Sequence, residues 1–248
     1  MKNLWLRIPK YIRVTLLLTL ANLALLAARN IMVGDAVFDF LKSNLFIGSL
    51  PVLVIAVFLK EYKGKINTFF FWLVTLLWVL FYPNAPYMIS DLIHVNADTV
   101  EATDAQLVVF DTLIIFSIAM LSVYYGFLSL KIMFNIFKAR YSDRFAHVAI
   151  FITIVLSCLG FYMGREMLSA MKLGNGYLYS WEIFLEPGQI ISAVWHLLFP
   201  IGAHKEAYLM MLLFGIVQYL LLIIFRDVSD VESSTYITEK VTPQKETK

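Results

Sequence analysis

Charged side chains are scarce: Asp, Glu, Lys and Arg make up 15% of the 248 residues, where an ordinary soluble domain carries about 25%. Cysteine is nearly absent. The single Cys158 excludes an intrachain disulfide and a thiolate metal cluster, and inside its apolar run it reads as a small buried hydrophobe. No stretch combines clustered Lys and Arg with interleaved aromatics, so nucleic acid is not expected as a partner. A His-Glu-x-x-His spacing is missing. Gly174-Asn175-Gly176 has turn chemistry and is followed by no Lys-Ser/Thr, which excludes a phosphate loop. No internal repeat is visible.

What fills the chain is apolar: 60% of residues are hydrophobic and the mean hydropathy is +0.75. One core of this size cannot hide so much, so the lipid bilayer is the expected solvent and partner. A hydrocarbon core about 30 Å thick is crossed by a helix of about 20 apolar residues. Six runs qualify, at 14–30, 42–59, 67–82, 107–130, 146–163 and 207–225. The expected fold is an all-α, polytopic transmembrane helical bundle of about six spans in one domain, 1–225. The first run is flanked by Arg13 and Arg29, whose stems can snorkel. It ends Leu25-Leu26-Ala27-Ala28-Arg29 without a small-x-small cleavage site, so it reads as a retained anchor and not a signal peptide. Pro51 lies within the second run, which membrane helices tolerate. Between spans five and six, Gln189 to Phe199 predicts a short helix bounded by Pro187 and Pro200, with Gln189, Ser192 and His196 along one stripe. It is too short to cross and is expected at the interface or as a re-entrant element. The polar tail 226–248 has little to bury and reads as disordered.

Basic residues set the expected orientation. With the N-terminus inside, 15 of the 20 Lys and Arg fall on the cytoplasmic side, leaving Arg29, Lys42, Arg165, Lys172 and Lys205 outside. Both termini are then cytoplasmic. Acidic residues do the reverse, with 11 of 18 outside or near the outer end of a span, joined by His94, His196 and His204.

The most unusual stretch is Tyr82-Pro83-Asn84-Ala85-Pro86-Tyr87, leading to Ser90, Asp91 and His94. Pro83 removes a backbone donor and Pro86 disfavours helical geometry at Ala85, so span three is expected to break there. A new α-helical turn from Pro86 would put Tyr87, Asp91 and His94 on one face at i, i+4 and i+7, with Met88, Leu92 and Val95 opposite. Span three exits outward at this point, span four re-enters with Asp111 in its first turns, and span five exits at Arg165. These residues are therefore expected at similar depth near the outer interface, with Arg165 as the partner of Asp111.

The run from Pro83 to Tyr87 followed by Asp91-Leu92 and His94 resembles the signature of a bacterial membrane family called domain of unknown function 1361. Phe110-Asp111, Gly164-Arg165 and Ser180-Trp181-Glu182 fit the same pattern, over roughly residues 45 to 200. In that family the Gly-Arg and Ser-Trp-acid pieces lie closer together and the acid is commonly Asp; here Lys172 and Gly174 to Gly176 intervene. The resemblance implies a multi-span protein of the bacterial cell membrane and brings no established activity.

Asp91, His94 and Asp111 are the candidates for acid–base chemistry. Asn84, Tyr87, Arg165, Trp181 and Glu182 are candidates for holding a substrate or for a structural ion pair. Asp91, His94 and His196 have metal-ligand chemistry, so a divalent metal is the one cofactor suggested. The plainer readings are that Asp91 and His94 bond each other and cap broken helix ends, that Trp181 and Trp195 anchor the interface, and that His147 is a solvated or capping residue. Three functions stay open: an enzyme acting on a lipid or envelope substrate from the outer face, a small-solute or ion transporter, and a non-catalytic assembly or envelope factor. Polar residues confined to the outer third would favour the first, and a polar route through the bundle the second.

Overall fold

The computed structural model describes residues 10–34, 38–61, 67–95, 105–162 and 205–228. Among these every regular element is helical and no strand occurs, so the chain is an all-α bundle. The helices are α1 (Lys10–Val33), α2 (Phe40–Glu61), α3 (Thr68–Phe81), the single turn α4 (Asn84–Tyr87), a 3₁₀ helix (Met88–Val95), α5 (Ala105–Arg140), α6 (Asp143–Tyr162) and α7 (Lys205–Val228). Among the described residues three stretches are long and apolar enough to cross a membrane: Ile12–Val33, Thr68–Leu92 and Val108–Arg140. The Gln189 to Phe199 segment, Arg165, Trp181, Glu182, His196, His204 and the 229–248 tail lie outside the described residues.

Local chemistry explains the helix ends. Gly34 closes α1 at φ +77°, its N–H bonded to the carbonyl of Asn30 at 3.0 Å. The Asn67 side chain caps α3 by accepting from the N–H of Phe69 at 2.9 Å. Pro51 is accommodated inside α2. α5 continues past its apolar run to Lys138 and Arg140, whose charge suits a helix C-terminus.

α5 is the pillar of the bundle. It packs against α1, α2, α4, the 3₁₀ helix, α6 and α7. With the start of α5 taken as the top, the lower half of the core gathers Phe71, Trp78, Tyr82, Phe137, Ile150 and Ile154. The upper half gathers Leu26, Phe38, Leu41, Leu45, Met88, Ile114 and Ile118. Outward-facing positions remain apolar: Leu17, Leu20, Phe69, Leu113, Ile152 and Leu220 are all exposed. A soluble bundle reserves that surface for polar residues, so lipid contact is the physical reading of this one.

The break after α3 differs from the sequence expectation in kind. Ala85 does not become extended; Pro83 keeps helical angles (φ −55°, ψ −27°) and Tyr87 N–H bonds the Pro83 carbonyl at 3.1 Å. The chain then tightens to a 3₁₀ helix, in which residues three apart eclipse. Met88, expected opposite Asp91, therefore shares its column, and both are 2% exposed. Tyr87 leaves that face and sets its ring edge-on to Phe161 at 5.7 Å.

This compact break stands on two glycines. A Cβ on Gly126 of α5 would meet the methyl of Ala85 at 3.0 Å, and one on Gly160 of α6 would meet Pro83 at 3.0 and 3.1 Å. Small residues at such crossings let membrane helices approach closely. Gly126→Val is expected to destabilise the bundle by about 1–3 kcal/mol through overpacking, read as a lower Tm in detergent. A Tm equal to wild type would contradict the close approach.

Candidate functional site

Several buried polar groups line the facing sides of α1 and α5. On α1, Thr15, Thr19, Asn22, Leu26 and Arg29 follow a 4-3-4-3 spacing that keeps one face toward a neighbour. On α5, Ser122, Tyr125 and Ser129 follow Asp111 at i+11, i+14 and i+18, each within about 40° of it around the axis. All four are buried. From Asp111 to Ser129 the stripe runs about 27 Å at the helical rise per residue.

The two faces meet through specific bonds. At the top, Arg29 grips Asp111 with both arms of its fork: Nε to Oδ1 at 2.9 Å and Nη2 to Oδ2 at 3.2 Å. The side chains are 2% and 0% exposed. The Phe38 ring lies 4.8 Å from the guanidinium carbon, covering the cation with a π face. Lower down, the Thr19 and Tyr125 hydroxyls bond each other, and the Thr15 hydroxyl donates to Tyr124 at 3.3 Å. The α5 stripe finishes at Ser129, which accepts from the indole N–H of Trp78 at 3.2 Å and donates to the Gly126 carbonyl at 2.8 Å.

Arg29 therefore occupies the place expected of Arg165. The partner of Asp111 in the structure is Arg29, brought to it by the packing of α1 on α5; Arg165 lies outside the described residues. Asp111, with both oxygens held by the guanidinium, fixes α1 against α5.

Asp91 is placed differently. The Asn44 side-chain amide of α2 donates to its Oδ2 at 2.9 Å. Met88 and Leu92 beside it, Leu41 and Leu45 beside Asn44, and Ile114 and Ile115 beside Asp111 all join the upper core. Both carboxylates thus border one apolar cluster. Their depths differ, because Ser122 lies against Gly48 of α2, Asn44 is one turn above Gly48, and Asp111 is three turns above Ser122. Asp111 stands higher by about 10 Å.

Other candidates serve the break itself. The Asn84 amide donates to the Phe81 carbonyl at 2.9 Å and the Ser90 hydroxyl to the Tyr87 carbonyl at 2.6 Å, satisfying carbonyls that the tightened helix exposes. His94 belongs to the 3₁₀ helix, but its side chain lies outside the described residues. Among the described residues no three His, Cys, Asp or Glu side chains come together. His147, expected as a solvated or capping residue, ties α6 to α7 through Nδ1 and the Tyr219 hydroxyl at 2.8 Å, with Asp143 3.5 Å from Nε2.

Sequence reasoning passed over Asn22, Arg29, Asn44 and Ser122. The α1 spacing was the available signal, hidden because Thr, Asn and Ala barely lower the hydropathy of a Leu-rich run. At the corner between α1 and α2, Asp39 is exposed. Its carboxyl is held below the ordinary 3.8 first by the hydrogen bond from Lys42 and then by that from Asn30. That contact is present at every pH above 3.8 and is lost as pH falls below it.

The Arg29–Asp111 pair makes a sharp prediction. Arg29→Leu or Asp111→Leu alone leaves an enclosed charge and is expected to cost about 3–5 kcal/mol. The double variant is expected to recover most of that. Thermal unfolding of the four proteins in one detergent checks it, and additive losses in the double variant would contradict the pairing.

Comparison with known proteins yields one family model, described as "Protein of unknown function (DUF1361)", which matches residues 43–221. No curated protein and no solved structure matches the chain. α1 and Arg29 lie before the matched stretch, whereas Asn44, the proline break, Asp91 and Asp111 lie within it. That stretch covers well over half of the chain, and the protein belongs to this family of unknown function.

Proposed function

We propose that the protein carries a proton or a small monovalent cation through the membrane along the α1–α5 seam. The supporting observation is the depth of the buried polar stripe on α5. From Asp111 to Ser129 it extends about 27 Å, close to the thickness of the hydrocarbon core. A site working on lipid headgroups needs polar groups at one end of a bundle only. Here Ser122, Tyr125 and Ser129 continue the stripe downward, and a helix broken at Pro83–Pro86 runs beside it, as in many transport proteins. The ligands on offer are oxygens of Asp, Asn, Ser, Thr and Tyr, which suit hard cations. The one guanidinium among them, Arg29, is paired with Asp111.

In this proposal the top of the bundle is extracytoplasmic and both termini are cytoplasmic, because basic residues concentrate at the other end. A cysteine introduced at the exposed Asp39 is expected to react with a membrane-impermeant maleimide in intact cells. One at the exposed Arg144 is expected to react only after lysis. The buried Cys158 supplies a low background. The reverse pattern would invert the topology.

Transport is tested with the purified protein in liposomes, measuring proton, sodium and potassium entry under an imposed potential. Flux above protein-free vesicles is expected, reduced about tenfold by Asn22→Leu, which removes an oxygen ligand from the middle of the seam. Flux indistinguishable from empty vesicles would end this reading. A second reading, an extracytoplasmic interfacial site acting on a lipid or envelope substrate, is favoured by the position of Asp91 on a short 3₁₀ helix beside the break. It predicts altered envelope lipids in an Asp91→Ala strain whose membrane content of the protein is normal.

A further inference from the structure

The polar seam has one interval in which its groups do not satisfy each other. Between the Arg29–Asp111 pair and the Thr19–Tyr125 contact lie Asn22 on α1 and Ser122 on α5, 5% and 0% exposed. The Asn22 Nδ2 donates to the Leu18 carbonyl at 2.9 Å. That bond fixes the amide, because a flipped one would set two acceptors against each other. Its Oδ1 is left enclosed, with no donor among the described residues. Ser122 Oγ is enclosed and unpartnered in the same way. Hydroxyls on membrane helices usually return their proton to the carbonyl one turn back, as Thr19, Thr75, Thr112 and Thr153 do here. Ser122 does not. It projects instead into the notch left by Gly48 of α2, where an added Cβ would stand 2.2 Å from Oγ.

Enclosed oxygens without donors are costly anywhere and more so at membrane depth, where bulk water is absent. Folded proteins resolve such positions with an internal water or a ligand. Asn22 Oδ1 is purely an acceptor, and Ser122 Oγ accepts as well as donates, so the complementary guest is a hydrogen-bond donor or a small cation. We propose that this interval is a hydrated position inside the membrane, where Asn22 Oδ1 and Ser122 Oγ bind water at rest and a small monovalent cation in transit. The cation rests on the transport reading above; the water does not.

The test uses the full chain in liposomes with a cysteine at Ser122 or, for comparison, at Ile154, a fully buried position of the lower apolar core. A small water-borne methanethiosulfonate is the probe, and the buried Cys158 is present in both proteins. Ser122→Cys is expected to react about tenfold faster than Ile154→Cys, because only a hydrated thiol ionises and meets the reagent. Sodium, potassium or ammonium is expected to slow that reaction. Adding Asn22→Leu is expected to slow it also, without lowering the Tm. Equal rates at the two positions would overturn the hydrated site. Fast reaction that no cation slows would overturn the cation. Should Ser122→Cys fail to fold, Asn22→Cys carries the same comparison. A reactive Ser122→Cys in a protein that moves no ions would sink the transport reading and leave the water standing, whereas an inert one beside measurable flux would do the opposite.

Discussion

Helices in lipid have no hydrophobic reason to associate, since acyl chains are as apolar as leucine. α1 makes that constraint visible. Leu16, Leu17, Leu20, Leu23 and Leu25 are exposed, and the side chains it turns inward are mainly Thr, Asn and Arg. What seats this helix is therefore a line of polar contacts, and the strongest of them is the doubly hydrogen-bonded Arg29–Asp111 pair. The pair is also what sets register. Sliding α1 by one residue would turn Thr15, Thr19 and Arg29 away from their partners together, leaving Asp111 enclosed without its counter-charge. A single enclosed ion costs more than any one apolar contact of α1 contributes. One alignment consequently stands far below its neighbours in energy.

The upper half of the bundle is built outward from that alignment. Leu26, one turn below Arg29, and Ile114 and Ile115, one turn below Asp111, define the wall against which α2 and the 3₁₀ helix pack. Asn44 on α2 then meets Asp91 across the same cluster. The lower half uses different means: Phe71, Trp78 and Phe137 fill space by edge-on ring contacts, with Tyr82 tilted against Trp78, and Gly126 and Gly160 admit the proline break. Polar pairing fixes the top and close packing fixes the bottom, with α5 belonging to both.

How much of this was legible beforehand depends on which physical quantity each feature obeys. The apolar runs follow bilayer thickness, a property of composition over about 20 residues; each long described helix overlaps one of those runs, and α5 continues past its run to Arg140. Two prolines marked the break, but proline identity does not say whether the following turns close i→i+4 or i→i+3 bonds. The α-period was assumed, and so Tyr87 was given the place beside Asp91 that Met88 holds. The partner of Asp111 was illegible for another reason. The run order puts both Arg29 and Arg165 at outer span ends, and which arginine a carboxylate meets depends on the lateral order of helices. Lateral order has no one-dimensional signature apart from the 4-3-4-3 spacing on α1, which a hydropathy average erases.

The location of the ion pair also bears on how such a bundle can be assembled. A charged residue at the centre of a span costs about 2.5–3.5 kcal/mol on insertion scales and progressively less toward either end. Arg29 lies in the last turns of α1 and Asp111 in the first turns of α5. Each helix can therefore insert separately with its charge near an interface, the arginine stem snorkelling to water. Only when α1 docks on α5 are both charges enclosed, now as a neutral pair under Phe38. The groups deeper in the seam, Thr15, Thr19, Asn22, Ser122 and Tyr125, are uncharged, and Thr19 and Asn22 satisfy part of their demand on their own helix while unpaired. A polar seam through a membrane bundle is thus compatible with stepwise insertion when charge is kept to the ends and neutral oxygens to the middle. Under the proposed transport reading, that same gradation would let an ion enter the seam without being trapped there.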